Sequence, residues 1–545
     1  MSTIASAEDN RANQAEAKNR LSKNISSNMV AKVLYMASRL CLPPITLSYI
    51  SMEEYGIWAT CFIIIGYLGV SSFGISSVYV RYVAEYHALD QPDKISRLLS
   101  TGLCASIGLS AAALTVLWFA LPHIIGGLSI SADLQDMAFV LIFASAATFM
   151  LDLSLGAFAY VLHGLQRISQ QNAVWVISFI LEAILIVFLL VQGWGVYGLL
   201  TAFIARYLLA TALNYILCRR ALPDLKLSPS LFDRDMLKIF YGYGATVQLS
   251  GLLSTFLYSI EKVLAGSFIG VHATGLFDIG QKLPMMTSQI FGSMNTALLP
   301  AMARLNTLKQ NAQIAQLYLK GMRYMNMITG AAMAFLAAFA SPLLYLWIGP
   351  HESHANLAII LSAFCLPFQL HILTGPASMY HRAVDNPKRE FVYKFIQLGL
   401  VALTVSVGFF SWGINNEVIV WSVAISMSLS ALTYIAYSNR FISVTIASFA
   451  RTVLWPGTFP YLIAAALSLL SQVFWDAEHS TRLPLFAILL MLATVYVFLV
   501  ATMLYFTSCD SREKEAIKNA IRAGRNRAQN LLPRFGTLPI VIKKG

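Results

Sequence analysis

Apolar runs of about 20 residues, long enough to cross hydrocarbon as helices, recur along the whole chain and are separated by short polar turns. About fourteen spanning helices are expected on that rule, near 25–50, 55–80, 98–121, 137–162, 173–193, 196–217, 240–260, 276–300, 324–348, 356–379, 392–412, 417–437, 453–474 and 485–507. The longest polar stretch between the first and last of these, Cys218 to Lys238, holds two prolines and reads as a linker. The expected class is an all-α polytopic membrane protein, with two six-helix lobes around a central cavity and two further C-terminal helices. Its divisions would be a polar tail over 1–24, a first lobe over 25–217, a linker over 218–239, a second lobe over 240–440, the last two helices with their preceding segment over 441–507, and a basic tail over 508–545.

Polar positions inside the spans follow the helical period in three places. In the first helix Asn28, Lys32, Tyr35 and Arg39 fall at i, i+4, i+7 and i+11, on one face. The seventh carries Gly244, Gln248, Gly251, Thr255, Tyr258 and Lys262, and the eighth carries Asp278, Lys282, Met285, Gln289 and Ser293. A charge at bilayer depth costs roughly 2.5 kcal/mol or more, so it turns toward a partner or a wet cavity. The three stripes are best satisfied if they meet around water, giving a central cavity with the cationic determinants Arg39, Lys282 and Lys32 and a polar lining of Asn28, Tyr35, Gln248, Thr255, Tyr258, Asp278 and Gln289.

Several of these residues have a second reading. Lys32 is about two turns from the inner helix end, where its stem reaches headgroups by snorkelling. Lys282 has Asp278 at i, i+4 on its own helix. Asp152, Glu182 and Arg206, in helices four to six, read as intramembrane pairs that fix the first lobe or as sites of ion coupling. Glu261 and Lys262 are expected at the outer rim as exposed loop charges. Pro43, Pro44 and Pro284 remove backbone donors, as kinked or bending helices do, although proline is common in membrane helices.

Composition agrees with the hydropathy pattern: 57% of the 545 residues are hydrophobic and 12% charged, far from a soluble domain. The net charge of +12 is explained by topology. With an inside N-terminus, about 32 of the 38 Lys and Arg fall on the inner side, so both termini are expected in the cytoplasm. The short outer connections carry acids instead, among them Glu53, Glu54, Asp133, Asp136, Glu352 and Glu417. The tail from Ser511 to Asn530 reads as a basic helix on anionic lipid rather than a nucleic-acid binder. No P-loop, GxSxG or HExxH motif occurs, the six Cys lack zinc-ligand spacing and the His are scattered, so neither enzyme activity nor a metal or other cofactor is expected.

The halves echo one another. Gly56, in Glu53-Glu54-Tyr55-Gly56-Ile57-Trp58, and Gly275, in His272-Ala273-Thr274-Gly275-Leu276-Phe277, are 219 positions apart, and the inner ends Arg81 and Arg304 are 223 apart. Such repeats are common in transporters, with the site at their interface. Lys23-Asn24-Ile25, Arg39 with Pro43, Glu54-Tyr55-Gly56-Ile57-Trp58 and Phe73-Gly74-Ile75 to Arg81 resemble the polysaccharide-biosynthesis flippases. So do Glu261-Lys262-Val263-Leu264-Ala265-Gly266, Gly270, Thr274-Gly275-Leu276-Phe277 and Lys282-Leu283, except that an Asp is expected where Glu261 stands. The likeness covers roughly 20–440 and implies the multidrug, oligosaccharidyl-lipid and polysaccharide exporter superfamily. It implies alternating access in a bacterial cytoplasmic membrane, a polyprenyl-pyrophosphate-linked oligosaccharide as substrate, and glycan-assembly proteins as further partners. The rivals are a proton- or sodium-coupled drug or metabolite exporter of that superfamily and a membrane glycan polymerase or ligase, which generally needs a large outer loop.

Overall fold

A computed structural model describes residues 31–69, 75–474 and 481–511, with 513–515, 518, 519 and 522. It is helical throughout, with no strand among the described residues. The first half runs α1 (31–47), α2 (Met52–Leu68), α3 (Ile75–Ala88), α4 (Pro92–Gly127), α5 (Gln135–Leu155), α6 (Ala157–Gly164), α7 (Ile168–Val191) and α8 (Gly195–Ala221). The second runs α9 (Arg234–Tyr258), α10 (Ile260–Phe268), α11 (Val271–Gly280), α12 (Lys282–Gly292), α13 (Leu298–Thr307), α14 (Asn311–Ala338), α15 (Ala340–Trp347), α16 (His354–Ala383), α17 (Glu390–Trp412) and α18 (Asn416–Ile442). Pro460–Phe474 and Arg482–Thr507 then pack on α14, where Tyr496 donates to the Ala331 carbonyl at 2.8 Å and Ser468 to that of Ala338 at 2.8 Å.

Helices lie over each of the fourteen expected segments as far as these are described, but not all as single rods. Nine of the described helical segments are long and apolar enough to cross a membrane, and a tenth is if α14 and α15, bent by 78° at Phe339, count as one. The breaks have local causes. Pro284 has no N–H for the Gly280 carbonyl and its ring crowds that oxygen, and α11 gives way to α12 there. The entry to α2 is fixed by a capping box: Glu54 N donates to Ser51 Oγ at 3.2 Å, and Ser51 N donates to Glu54 Oε2 at 2.8 Å. Ser131 donates to Glu53 at 2.9 Å, tying this entry to the α4–α5 connection.

The largest apolar core is shared between the halves, two more are largely private to one half each, and two small ones hold the last helices on α14 and α15. The shared core joins Met52, Ile57, Leu121 and Ile142 to Ala273, Leu276, Phe277 and Leu361, at the end where α2 and α11 begin. Toward the other end the first half closes on Val78, Tyr79, Leu98 and Val161, and the second on Met302, Tyr318, Leu373 and Tyr434. The halves are therefore fused at one end, while at the other each has its own core except that the start of α9 packs Phe240 on Tyr79 of the first. The connection between them is held against α4, where Lys226 N, Ser228 N and Asp233 N donate to the hydroxyls of Ser96, Ser100 and Thr101 at 3.1, 3.3 and 2.9 Å. Glu513 is held by Arg323 and Tyr324, whereas most of the expected basic tail lies outside the described residues.

The fused end rests on the two echoed glycines. A Cβ on Gly56 would collide with the Val271 carbonyl, and one on Gly275 would lie 2.9 Å from Met52 O and 3.2 Å from Gly56 N. Gly56→Ala or Gly275→Ala should thus lower stability by about 1–3 kcal/mol as the helices are forced apart. Gly108→Ala, which meets open space, should leave it unchanged. Thermal unfolding of the detergent-purified chain measures both.

Candidate functional site: two base–acid–base clusters at one chamber

The α2–α11 crossing delivers Tyr55, next to Gly56, to Asp278, three residues after Gly275. Tyr55 Oη donates to Asp278 Oδ2 at 3.0 Å. Lys282 Nζ donates to the same oxygen at 2.9 Å and to Tyr55 Oη at 3.1 Å, while Lys262 Nζ takes Asp278 Oδ1 at 2.7 Å. One carboxylate is thus shared by two ammonium groups, with all three side chains largely buried.

The first half builds the same motif from other helices. Arg39 of α1 donates to Glu182 Oε2 of α7 at 3.0 Å, and Arg206 Nε of α8 stands 3.5 Å from that oxygen. Glu182 is 3% exposed in its side chain, so it is tolerable as an ion only because two guanidinium groups face it. Arg206 lies over the Tyr207 ring at 4.1 Å and Arg39 over Tyr35 at 5.1 Å, which holds both planar groups in place. Arg39 Nε has no hydrogen-bond partner among the described residues.

Arg39 and Lys282 line one chamber of about 260 Å³ with Tyr35, Tyr55, Asp278 and Gln289. Its remaining wall is mostly apolar, including Leu42, Pro43, Trp58 and Met285, so a few fixed polar groups orient whatever it holds. Thr255, Tyr258 and Lys262 line an adjoining space of about 310 Å³ that shares Ala59, Phe62 and Asp278 with the chamber. Asp152 and Arg206 line a separate cavity within the first half. Asn28 lies outside the described residues, as does the side chain of Gln248.

Three expectations change. Lys32 is exposed and is not among the residues lining the chamber, because it lies two turns from Arg39 toward the helix start. Glu261 and Lys262 are not exposed rim charges: Glu261 is 4% exposed, and Lys262 turns inward to Asp278 because α9 ends at Tyr258 and α10 sets off from a new start at Ile260. Tyr55 is a site residue that polarity within the spans did not single out. Its signal was the echo itself, since it flanks the repeated glycine.

Residues 49–351 match a family described as polysaccharide biosynthesis protein. A relative from Bacillus subtilis (strain 168), described as uncharacterized membrane protein EpsK, is 19% identical over 351 residues, 63% of this chain and 69% of that one. A solved structure of the lipid II flippase MurJ in an inward closed conformation superposes with a TM-score of 0.65 at 14% identity, covering 88% of this chain and 98% of that one. An inward-facing multidrug resistance MATE family transporter of the MOP superfamily does so with a TM-score of 0.63 at 14% identity, covering 77% and 98%. At such identities the likeness to the solved structures concerns the fold.

Removing a shared acid should cost more than removing a hydroxyl. Asp278→Asn leaves two buried ammonium groups facing each other and should lower stability by about 3 kcal/mol or more, whereas Tyr55→Phe loses hydrogen bonds worth about 1 kcal/mol each. Chemical or thermal denaturation of the purified variants measures the order, which reverses if the cluster is not load-sharing as described.

Proposed function

Because the chain belongs to the polysaccharide biosynthesis protein family, we propose that it moves a polyprenyl-pyrophosphate-linked oligosaccharide from the cytoplasmic to the outer leaflet of a bacterial cytoplasmic membrane, for exopolysaccharide or O-antigen synthesis. The observation that carries this reading is the meeting of two base–acid–base clusters, one from each lobe, at one chamber. Two cations and one carboxylate leave one net positive charge in each cluster, Arg39–Glu182–Arg206 and Lys262–Asp278–Lys282. Together they match a doubly ionised pyrophosphate diester.

The acids keep the empty chamber stable by compensating the bases, and the excess base on each side remains for the cargo. Arg39 enters with an unused N–H edge, and a guanidinium fork suits phosphate oxygens better than a point charge does. Lys282 approaches from the opposite lobe, so the anion is gripped by both. A cation-coupled drug exporter would instead want an acid open to its cargo in the chamber, whereas Glu182 and Asp278 are each held between two bases and Asp152 lines the separate cavity of the first half. The chemistry assigned is transport, with no bond made or broken in the cargo.

The lobes divide at the linker, 25–217 from 240–440. With both termini cytoplasmic, the end fused at Gly56 and Gly275 faces outward, and this conformation opens inward. Alternation then requires the α2–α11 crossing to part while the private cores come together. The lipid tail stays in the bilayer as the headgroup crosses.

Reconstitution into vesicles with a fluorescent lipid-linked oligosaccharide tests the reading. Arg39→Ala and Lys282→Ala should each slow translocation by about tenfold or more, since a hydrogen bond to a charged group is worth about 1.5–3 kcal/mol. Arg39→Lys should fall between wild type and Arg39→Ala, and Lys32→Ala should match wild type. Wild-type rates in both alanine variants would sink the proposal.

A further inference from the structure

The first lobe contains a second cavity, of about 430 Å³, that the anion chamber does not use. Asp152 of α5, Gln171 and Trp175 of α7, and Arg206, Thr211 and Asn214 of α8 stand in its wall. Asn214 is 7% exposed, and its Oδ1 has no hydrogen-bond partner among the described residues. Arg206 stands in the same wall with its Nε turned to Glu182, 3.5 Å away. A buried polar atom left unpaired costs about 1–3 kcal/mol, so this wall is built for something that supplies partners.

The wall excludes most ligand classes. An apolar molecule would leave Asn214 Oδ1 stranded. A second anion would meet the Asp152 carboxylate, with the neighbouring Arg206 already committed to Glu182. A bare metal ion would be lost in a space within the roughly 300–1,000 Å³ range of small-molecule pockets, and it would face Arg206. A neutral polyhydroxylated molecule fits. Each of its hydroxyls both donates and accepts, as do the amides of Gln171 and Asn214 and the hydroxyl of Thr211. The Trp175 ring gives an apolar patch for its C–H face.

The cavity is wired to the chamber. Glu182 binds Arg39, in the chamber wall, and Arg206, in the cavity wall. Tyr35 of the chamber and Trp175 of the cavity are in contact, with ring centroids 5.0 Å apart. A molecule whose charged group sits at Arg39 therefore lies beside this cavity, one side-chain layer away. We propose that the cavity walled by Gln171, Arg206, Thr211 and Asn214 is a saccharide subsite, which takes sugar rings of the cargo while its pyrophosphate is held at Arg39 and Lys282. This rests on the transport reading above for the identity of the cargo, and on the cavity alone for its chemistry.

The test uses the full chain in detergent with Ala210→Cys, in the cavity wall but without a polar contact to lose, as reporter, read by the rate of maleimide labelling against the wild-type background. Saturating chitobiose or maltotriose should slow labelling by about threefold or more, as expected when free ligand exceeds its dissociation constant. Inorganic pyrophosphate and tetraphenylphosphonium should leave the rate unchanged. Adding Asn214→Leu should abolish protection, and Gln171→Leu serves as the second variant if the first fails to give a monodisperse folded protein. Unchanged labelling with both saccharides, protection by either ion, or protection surviving both substitutions overturns the subsite. Free saccharide needs no translocation, so protection in a chain that moves no lipid-linked oligosaccharide would overturn the transport reading and leave the subsite standing.

Discussion

Two helices from opposite halves touch backbone to backbone at Gly56 and Gly275, and the site depends on that contact. With no Cβ at either position, α2 and α11 approach closely enough for the Tyr55 hydroxyl to reach Asp278 and Lys282. Any larger residue would separate the helices by more than a hydrogen bond tolerates. The crossing also fuses the apolar cores at one end, whereas the other end is divided between two cores bridged only where Phe240 of α9 joins the first. The helix crossing and the site are thus one piece of structure, so a ligand held by Lys282 and Tyr55 sits directly against the Gly56–Gly275 contact.

Charge within the membrane is managed by sharing. An isolated lysine or arginine at this depth would be costly, and a simple pair would cancel its own charge. Placing one carboxylate between two bases keeps every ion compensated while preserving one net positive charge per cluster. The clusters come from unrelated residues, arginines around a glutamate in one half and lysines around an aspartate in the other. Equivalent electrostatics has been reached with different side chains. The guanidinium side offers a fork and a cation–π bed, the ammonium side a point charge steadied by a phenol.

Much of this was legible in the chain, within the reach of helical periodicity. The stripe Asp278, Lys282, Met285 and Gln289 still lines one chamber although a helix break at Gln281 interrupts it, and Tyr35 and Arg39 join it from α1. Lys262 keeps the face that its period with Thr255 and Tyr258 gives it, and the reading of it as an exposed loop charge fails because the chain starts a new helix at Ile260. Glu182 could be named as an intramembrane acid but not matched to Arg39, 143 positions away, because tertiary pairing leaves no local spacing. The glycine echo read as a repeat; that its two members touch is a consequence of how the halves face each other, which hydropathy does not encode. Hydropathy located the helices and missed their interruptions, such as the 78° bend between α14 and α15, since a broken helix is as apolar as a straight one.

The proposed transport requires one anion to be gripped by both halves at once. Calorimetric titration of the purified full chain with a soluble short-chain polyprenyl pyrophosphate tests it most directly, using Arg39→Gln, Lys282→Gln and the double variant. Each single substitution should weaken binding by about tenfold, the loss of one charge-assisted contact, and the double variant should weaken it further. Binding that is indifferent to one of the two residues would place the anion on a single half and contradict the account.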